Sequence, residues 1–334
     1  MPLCKGVGLT YSVAMASGVA HDDSAFNAAT TAARLECWLG AVPAVFRLAP
    51  DEVCGIRPPR PFHLALPRQS LLPFVCEAVR AHFAPFGPPL GGELWFEHAG
   101  TPLRWQLPIG VLFDLLVGEE GAASAALPWA ITVHFASFPS HTLLKATRAE
   151  AEAVLLNALK ESCYLRCGSA LPAMSLSPAD QEKLTTALGS FDESAYKLGY
   201  APVAAAINEA TANQLNRQPP RSIPVRVFTS PTAWRQQPFA PRQADGSPST
   251  LRSSLEQLLP AHFDTAAVGG ASGASGGDGR TPRVTVQGVA VPLDVSLVFL
   301  ASACCCPDGW LYVCIQLPAD DPPCDTARPE RAAT

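Results

Sequence analysis

The amino-acid sequence predicts an α+β fold in which two similar strand-rich units flank a helix-rich domain. Three observations support this prediction. The chain has 334 residues, which is enough for two or three domains of ordinary size. Its hydrophobic pattern changes from strand-like to helical near residue 145 and becomes strand-like again after residue 220. The two strand-rich regions also share one order of elements, which indicates an internal repeat.

Composition excludes several classes of function. Lys plus Arg number 24 and Asp plus Glu number 29, which gives a net charge of −5. This balance argues against nucleic-acid binding and against a polybasic membrane surface. Hydrophobic residues make up 48% of the chain, so most of it can form a core. The longest apolar run, residues 295–306, is too short to span a bilayer.

Residues 1–32 are expected to form a disordered tail, with a signal peptide over 6–20 as the alternative. A short helix over 33–40, closed by Gly40, leads into the first strand-rich unit. The pattern there predicts strand, strand, helix, strand, short helix, strand, and Ser70 is the candidate N-cap of the longer helix. These elements span 44–48, 62–66, 70–83, 93–97, 110–117 and 130–135. Their order and size are those of a ubiquitin-like β-grasp.

The middle of the chain reads as three helices, over 148–165, 177–189 and 194–212. Ser177 followed by Pro178 supplies N-cap and first-turn chemistry for the second helix, and Gly189 is expected to end it. Gly199 and Pro202 are expected to break the third helix.

The strand pattern then returns and repeats the first unit. A strand over 223–229, a helix from Ser249-Thr250 to 259, a strand over 283–287, a short helix over 295–303 and a strand over 310–317 are predicted. Both units show the same order: a strand, a turn, the dipeptide Pro-Leu, a short helix, a tryptophan (Trp129 or Trp310) and a last strand. A coincidental likeness of two α+β halves is the alternative. The Gly/Ser-rich segment 266–280 is expected to be a mobile loop.

The reactive side chains form no recognisable catalytic or metal site. Eleven cysteines, scattered among apolar residues, are expected to be reduced and buried. Cys163 and Cys167 lack the second pair that a zinc site needs. The candidate nucleophiles of a thiol hydrolase are Cys76 and Cys163, with His82, His134 or His141 as the base. No nucleophile turn, GxGxxG motif or phosphate-binding loop surrounds any of them, and His134 is expected to be solvated. We therefore expect no catalytic residue, no cofactor and no metal.

Three segments resemble the autophagy-related protein 5 family: GELWFEHAGTPLRW at 92–105, PIGVLFDLL at 108–116 and LPWAITVHF at 127–135. Weaker matches at 38–43, 66–68 and 223–226 extend the resemblance over about 34–318. It implies two ubiquitin-like units around a helix-rich domain. The expected boundaries are a tail at 1–32, the first unit with its leading helix at 33–142, the helical domain at 143–218, the second unit at 219–318 and a tail at 319–334.

The resemblance also implies a function. Members accept the ubiquitin-like autophagy protein 12 on one lysine. Together with autophagy protein 16, this conjugate acts as an E3-like factor that promotes lipidation of autophagy protein 8 in autophagosome formation. The implied conjugating enzymes are autophagy proteins 10 and 3, and the implied location is the cytoplasm and the surface of the phagophore membrane. The alternative is an adaptor with two ubiquitin-like folds that is never conjugated.

The acceptor lysine of the family matches Lys160. The chain has only five lysines, and Lys160 follows an apolar helical stripe formed by Val154, Leu155, Ala158 and Leu165. At about 100° per residue, Lys160 lies roughly opposite the centre of that stripe, so it is expected to face solvent. An acceptor amine must be exposed and must be able to lose its proton.

The family implies that an amphipathic helix of autophagy protein 16 binds in a groove. Because aromatic anchors dominate such interfaces, the candidate contact residues are Trp38, Leu39, Trp105, Leu107, Pro108 and Ile109. The alternative for Trp105 and Ile109 is a place in the β-grasp core.

Overall fold

A computed structural model describes residues 23–55, 57–87, 92–117, 127–145, 147–212, 220–263 and 282–317. The expectations for 1–22, for the loop at 266–280 and for the tail at 319–334 lie outside the described residues.

The first unit is a five-stranded β-grasp. Its elements are β1 (Ala41–Leu48), β2 (Phe62–Pro67), α2 (Leu72–Phe83), β3 (Trp95–His98), β4 (Thr101–Pro102), α3 (Ile109–Leu116) and β5 (Trp129–His134). The strands lie in the order β2-β1-β5-β3-β4, with β1 and β5 parallel and the other pairs antiparallel. Its core forms between the sheet and both helices, because alternate strand residues such as Ile131 and Val133 face α2 and α3.

The second unit repeats this architecture, as the sequence predicts. Its elements are β6 (Ile223–Phe228), β7 (Trp234–Phe239), α8 (Leu251–Leu258), α9 (Pro260–Phe263), β8 (Arg283–Val286), β9 (Val289–Ala290), α10 (Leu297–Ala303) and β10 (Leu311–Gln316). The strand order is β7-β6-β10-β8-β9, which is the order of the first sheet element for element. Strand β7 was not predicted, because its sequence WRQQPF is polar and contains a proline, as an edge strand can.

A helical domain joins the two units. It consists of α4 (Arg148–Cys167), α5 (Leu171–Met174), α6 (Pro178–Ser190) and α7 (Glu193–Ala212). Thr147 and Glu150 form a capping box at the start of α4. The predicted N-cap Ser177 is confirmed, because its side chain accepts a hydrogen bond from Asp180 N.

Two predicted helix boundaries in this domain are wrong. Helix α6 does not end at Gly189 but continues to Ser190, where Phe191 adopts a left-handed conformation with φ of 59°. Helix α7 is not broken at Gly199 or Pro202. A Cβ at Gly199 would lie 2.8 Å from Asp180 O, so this glycine permits close packing of α6 on α7. Pro202 lies on the exposed side of α7, and the helix tolerates it there.

The expected tail at 1–32 is wrong for residues 23–32. Helix α1 spans Asp23–Leu39, starting ten residues before the predicted short helix. It packs on the second unit: the rings of Phe26 and Phe299 lie 6.0 Å apart, and Ala33 is fully buried. The Arg34 guanidinium donates to Ser302 O at 2.6 Å. The second unit lies far along the chain, so the sequence near α1 gave no sign of this packing.

The two units differ in how their tryptophans pack, and one predicted helix cap is wrong. Trp129 lies in the core of the first unit, whereas Trp310 lies on the opposite face of its own sheet, against α4. The two tryptophans therefore match in sequence position but not in role. Ser70 does not cap α2: Leu71 is the N-cap residue, and the buried Ser70 carbonyl accepts a hydrogen bond from Ile109 N.

Candidate functional site

Helix α4 lies where the three domains meet, and three of its sides are buried. Near its start, Ala151 and Leu155 join the core of the first unit. Ala158 packs with Trp310 and Tyr312 of the second unit. Leu159, Cys163 and their neighbours form the core of the helical domain, and these residues complete the buried surface of α4. A helix fixed on three sides is a rigid support for whatever its fourth side carries.

Lys160 lies on that fourth side, half-buried, in a strip with Ala153, Asn157 and Tyr164. The spacing of these residues, at intervals of four, three and four, places them on one helix face. The sequence predicted one apolar stripe opposite Lys160, but the structure buries three sides of α4. The hydrophobic periodicity of α4 is therefore weaker than that of a helix with one buried face. Lys160 nevertheless reaches solvent.

The surroundings of Lys160 differ from those of the other described lysines. Every other lysine of the described residues forms an ion pair: Lys145 with Glu93 at 3.0 Å, Lys183 with Asp180 at 3.1 Å and Lys197 with Glu193 at 2.7 Å. The Lys160 Nζ instead donates to the amide oxygen of Asn157, at a long 3.4 Å. Among the described lysines, Lys160 is the one whose ammonium has no carboxylate partner.

The carboxylate next to Lys160 is held by the second unit. Arg226 Nη2 lies 3.2 Å from the Glu161 carboxylate, and the Arg226 guanidinium stacks 3.9 Å from the centre of the Trp310 ring. Arg226 also donates to the Tyr312 hydroxyl, which donates to Asp308 at 2.7 Å. Burial raises the pKa of Asp308, and the positive charge of Arg226 opposes that rise. This network attaches α4 to the second sheet one residue from Lys160.

Of the candidate groove residues, Trp38 and Leu39 lie at the end of α1. The Trp38 indole packs at a tilt on Tyr196, with ring centres 4.8 Å apart, and donates to Phe191 O. Leu39 is 57% exposed, and Leu35, one turn earlier on α1, is 42% exposed. A shallow open cleft lies beside Trp38. Its lining residues are Trp38, Pro67, Gln69, Ser70, Leu188 and Phe191.

The other four candidates lie mainly in the protein interior. Ile109 is fully buried, Trp105 is 4% exposed and donates to Leu144 O, and Pro108 is buried. Leu107 is half-buried between the two units. The structure thus places Trp105 and Ile109 in the β-grasp core, which is the alternative that the sequence left open. Leu35 and Tyr196 were not among the residues predicted from the sequence, because only the fold brings Tyr196 against Trp38 and leaves Leu35 exposed.

The thiols and histidines do not form a catalytic arrangement within the described residues. Burial raises the pKa of both Cys76 and Cys163 to about 12, so both thiols stay protonated. Cys76 donates to Leu72 O inside α2, as expected of a packing residue. His134 is not solvated, contrary to the expectation: its ring stacks on Trp95 and lies between Glu52 and Glu97. The carboxylates and the indole cover most of its surface.

The described part of the chain has neither a metal-binding cluster nor a membrane-spanning helix. It contains no group of three or more His, Cys, Asp or Glu side chains arranged to hold a metal ion. None of its helices combines the length and the hydropathy that crossing a membrane requires.

Known proteins match each of the three domains. The family model "Autophagy protein ATG5, UblA domain" matches residues 37–135, the model of its alpha-helical bundle region matches 148–197, and the model of its UblB domain matches 222–315. These matches follow the order first unit, helical domain, second unit.

Related sequences and a solved structure match along most of the chain, in agreement with the three domain models. Autophagy protein 5 of Oryza sativa subsp. indica is 27% identical over 88% of this chain and 96% of its own length. The Drosophila melanogaster protein is 31% identical over 66% of this chain and 79% of its own length. The crystal structure of Kluyveromyces marxianus Atg5 superposes with a TM-score of 0.66 at 21% identity, covering 86% of this chain and all of that one, which supports the fold. The repeated β-grasp units, the helical domain between them and these matches together show that the chain belongs to the autophagy protein 5 family.

Proposed function

We propose that this autophagy protein is the acceptor of the ubiquitin-like autophagy protein 12 and that Lys160 is the acceptor residue. One observation carries the proposal: Lys160 lies on the free side of a helix fixed by all three domains, and its amine has no carboxylate partner. An amine attacks a thioester only after losing its proton, and an ion pair would oppose that loss. The rigid helix would hold the amine in place for transfer.

The protein itself is proposed to be a non-catalytic scaffold. In the proposed conjugate it would promote lipidation of autophagy protein 8 together with autophagy protein 16, with autophagy proteins 10 and 3 as conjugating enzymes. The protonated, packed thiols Cys76 and Cys163 support the absence of a nucleophile. Action in the cytoplasm and at the phagophore surface, through the complex, is part of the same proposal.

The helix of autophagy protein 16 is proposed to bind beside α1. Leu35 and Leu39 present neighbouring apolar side chains to solvent, one helical turn apart. Trp38 and Phe191 line the adjoining cleft, and an amphipathic helix could cover this surface with its apolar face. Of the six residues predicted from the sequence, Leu39 is the most exposed, with Trp38 at the edge of the cleft.

The test is reconstitution of the conjugation with purified components. The chain is mixed with autophagy protein 12, its activating enzyme and autophagy protein 10, and the product is measured by gel shift. We expect product with the wild type, with Lys145→Arg and with Lys183→Arg, and none with Lys160→Arg. Arginine keeps the charge and the helix propensity but cannot supply a free amine, so circular dichroism should be unchanged. Undiminished product in Lys160→Arg refutes the assignment, and no product with any chain supports the non-conjugated adaptor.

A further inference from the structure

We infer that the neutral side chain of Asn157 and the ion pair between Arg226 and Glu161 keep carboxylate charge away from Lys160, so that its amine stays available for acylation. This inference rests on the proposed function of Lys160 as an acceptor. It comes from the contrast between Lys160 and the other described lysines.

Asn157 occupies the position from which a carboxylate would pair with Lys160. In α6 the residue three positions before Lys183 is Asp180, and the two side chains form an ion pair at 3.1 Å. In α4 the residue three positions before Lys160 is Asn157, whose amide oxygen lies 3.4 Å from Nζ. The neutral amide can orient the ammonium through a weak hydrogen bond, but it adds no charge that would hold the proton.

Arg226 restrains the carboxylate nearest to Lys160 along the chain. Glu161 is 58% exposed and would otherwise be free to move. Arg226 is 17% exposed and is fixed by stacking on Trp310 and by its hydrogen bond to Tyr312. The ion pair between Arg226 and Glu161 therefore directs the Glu161 carboxylate toward the second sheet.

The remaining charged and titratable groups around Lys160 are few. Tyr164 lies one turn further along the same face and is exposed. Helix α5, which packs against α4, spans Leu171–Met174 and has no titratable side chain. Strand β6, which also packs against α4, contributes Arg226. Helix α7 packs against α4 as well, and its Glu193 carboxylate pairs with Lys197. Helix α2, which packs near the start of α4, carries Glu77, Arg80 and His82. Within the described residues, none of these groups forms a hydrogen bond or ion pair with Lys160.

Acylation of Lys160 by a thioester requires the unprotonated amine. A thioester joins the C-terminal carbonyl of the ubiquitin-like partner to a cysteine of the conjugating enzyme. The Lys160 ammonium first gives a proton to a solvent base, and the Nζ lone pair then attacks the thioester carbonyl carbon. A C–N bond forms, the C–S bond breaks, its electron pair leaves as thiolate, and the second amine proton is lost. A nearby carboxylate stabilises the ammonium and so lowers the fraction of reactive amine.

The experiment adds one carboxylate at two places on the same helix face. Asn157→Asp places it three residues before Lys160, and Ala153→Asp, the matched control, places it seven residues before. We expect the conjugation rate at pH 7.5 to fall about two- to fivefold in Asn157→Asp, which is the size of an exposed helical ion pair. Its pH–rate profile should shift to higher pH by about 0.3–0.7 units, which is the same two- to fivefold factor expressed on the pH scale. Ala153→Asp and Asn157→Ala should stay within about twofold of the wild type.

A second readout measures the amine without any conjugation enzyme. Brief treatment with acetic anhydride, followed by mass spectrometry of peptides, gives the acetylation rate of each lysine. We expect Lys160 to react faster than Lys183 in the wild type, and Asn157→Asp to remove that advantage. Unchanged acetylation and an unchanged pH–rate profile in Asn157→Asp would overturn the inference, as would an equal loss in Ala153→Asp. If Lys160 acetylates as expected but the wild type is not conjugated there, the proposed function fails while the electrostatic account of the amine stands.

Discussion

The buried ion pair between Arg68 and Asp114 is expected to contribute strongly to stability. Arg68 Nη2 lies 2.5 Å from Asp114 Oδ2, and the side chains are only 6% and 8% exposed. Both residues belong to the first unit, but the second unit closes the site. Gln316 donates to Asp114 O, and Gly288 N donates to the Asp114 carboxylate. A Cβ at Gly288 would lie 2.7 Å from Arg68 Cζ, so the β8–β9 turn needs glycine there.

Replacing Asp114 with alanine leaves the Arg68 guanidinium buried without its counter-charge. Loss of one partner of a buried pair costs about 3–5 kcal/mol, against about 5–15 kcal/mol for the whole stability of a typical protein. We therefore expect the urea concentration at the midpoint of unfolding, measured by circular dichroism, to fall strongly in Asp114→Ala. Replacing both residues, as in Arg68→Met with Asp114→Leu, should cost much less, because neither charge then remains buried.

The two single variants should differ in their pH dependence. Burial raises the pKa of Asp114, and Arg68 opposes that rise. Arg68→Met removes this positive charge, so the pKa of Asp114 in the folded protein lies further above its pKa in the unfolded chain. A carboxyl with a raised folded pKa destabilises the fold increasingly as pH rises from the unfolded toward the folded pKa. Arg68→Met should therefore be less destabilised at pH 5 than at pH 7.

The control is the exposed pair Lys145–Glu93, with side chains 64% and 43% exposed. Lys145→Ala should cost under about 1 kcal/mol. A cost for Asp114→Ala as small as this, or a double variant as unstable as the single ones, would refute the reasoning.

Three further predictions concern single elements. Thr147→Ala removes the capping box of α4 and should cost about 1 kcal/mol in thermal unfolding, whereas an unchanged melting temperature would contradict it. Gly199→Ala forces a Cβ toward Asp180 O and should lower the free energy of unfolding by about 1–3 kcal/mol, measured from the helical circular dichroism signal. A stabilised variant would contradict the close packing of α6 on α7. Iodoacetamide at pH 8 should label the exposed Cys54 far faster than the half-buried Cys76, whose pKa is about 12. Equal labelling of the two thiols by peptide mass spectrometry would contradict this packing of Cys76 within α2.

Local pattern predicted most of the fold. Alternation in β5 and helical spacing in α2 reflect burial on one face, which sequence periodicity records directly. The two β-grasp units were recognisable for this reason, and so was their repeat. Edge strand β7 was missed because little of it is buried. Helix α1 was underestimated because its packing surface is α10, whose residues lie about 270 positions later.

The candidate site was predictable in position but not in environment. Helical geometry alone directed Lys160 away from the apolar residues of α4. The pairing of Glu161 with Arg226 joins residues 65 positions apart and leaves no local signal. The same limit explains Trp105 and Ile109: an aromatic or branched residue near a turn is equally compatible with a groove and with a core, and only the three-dimensional packing decides.

The most direct test of the account is to locate the isopeptide bond by mass spectrometry. The conjugate formed by the wild-type chain is digested, and the branched peptide is sequenced. We predict a branch at Lys160, the half-buried lysine on the free side of α4. A branch at the ion-paired Lys145, Lys183 or Lys197 instead would contradict it, because the position and charge environment of Lys160 would then not determine the acceptor.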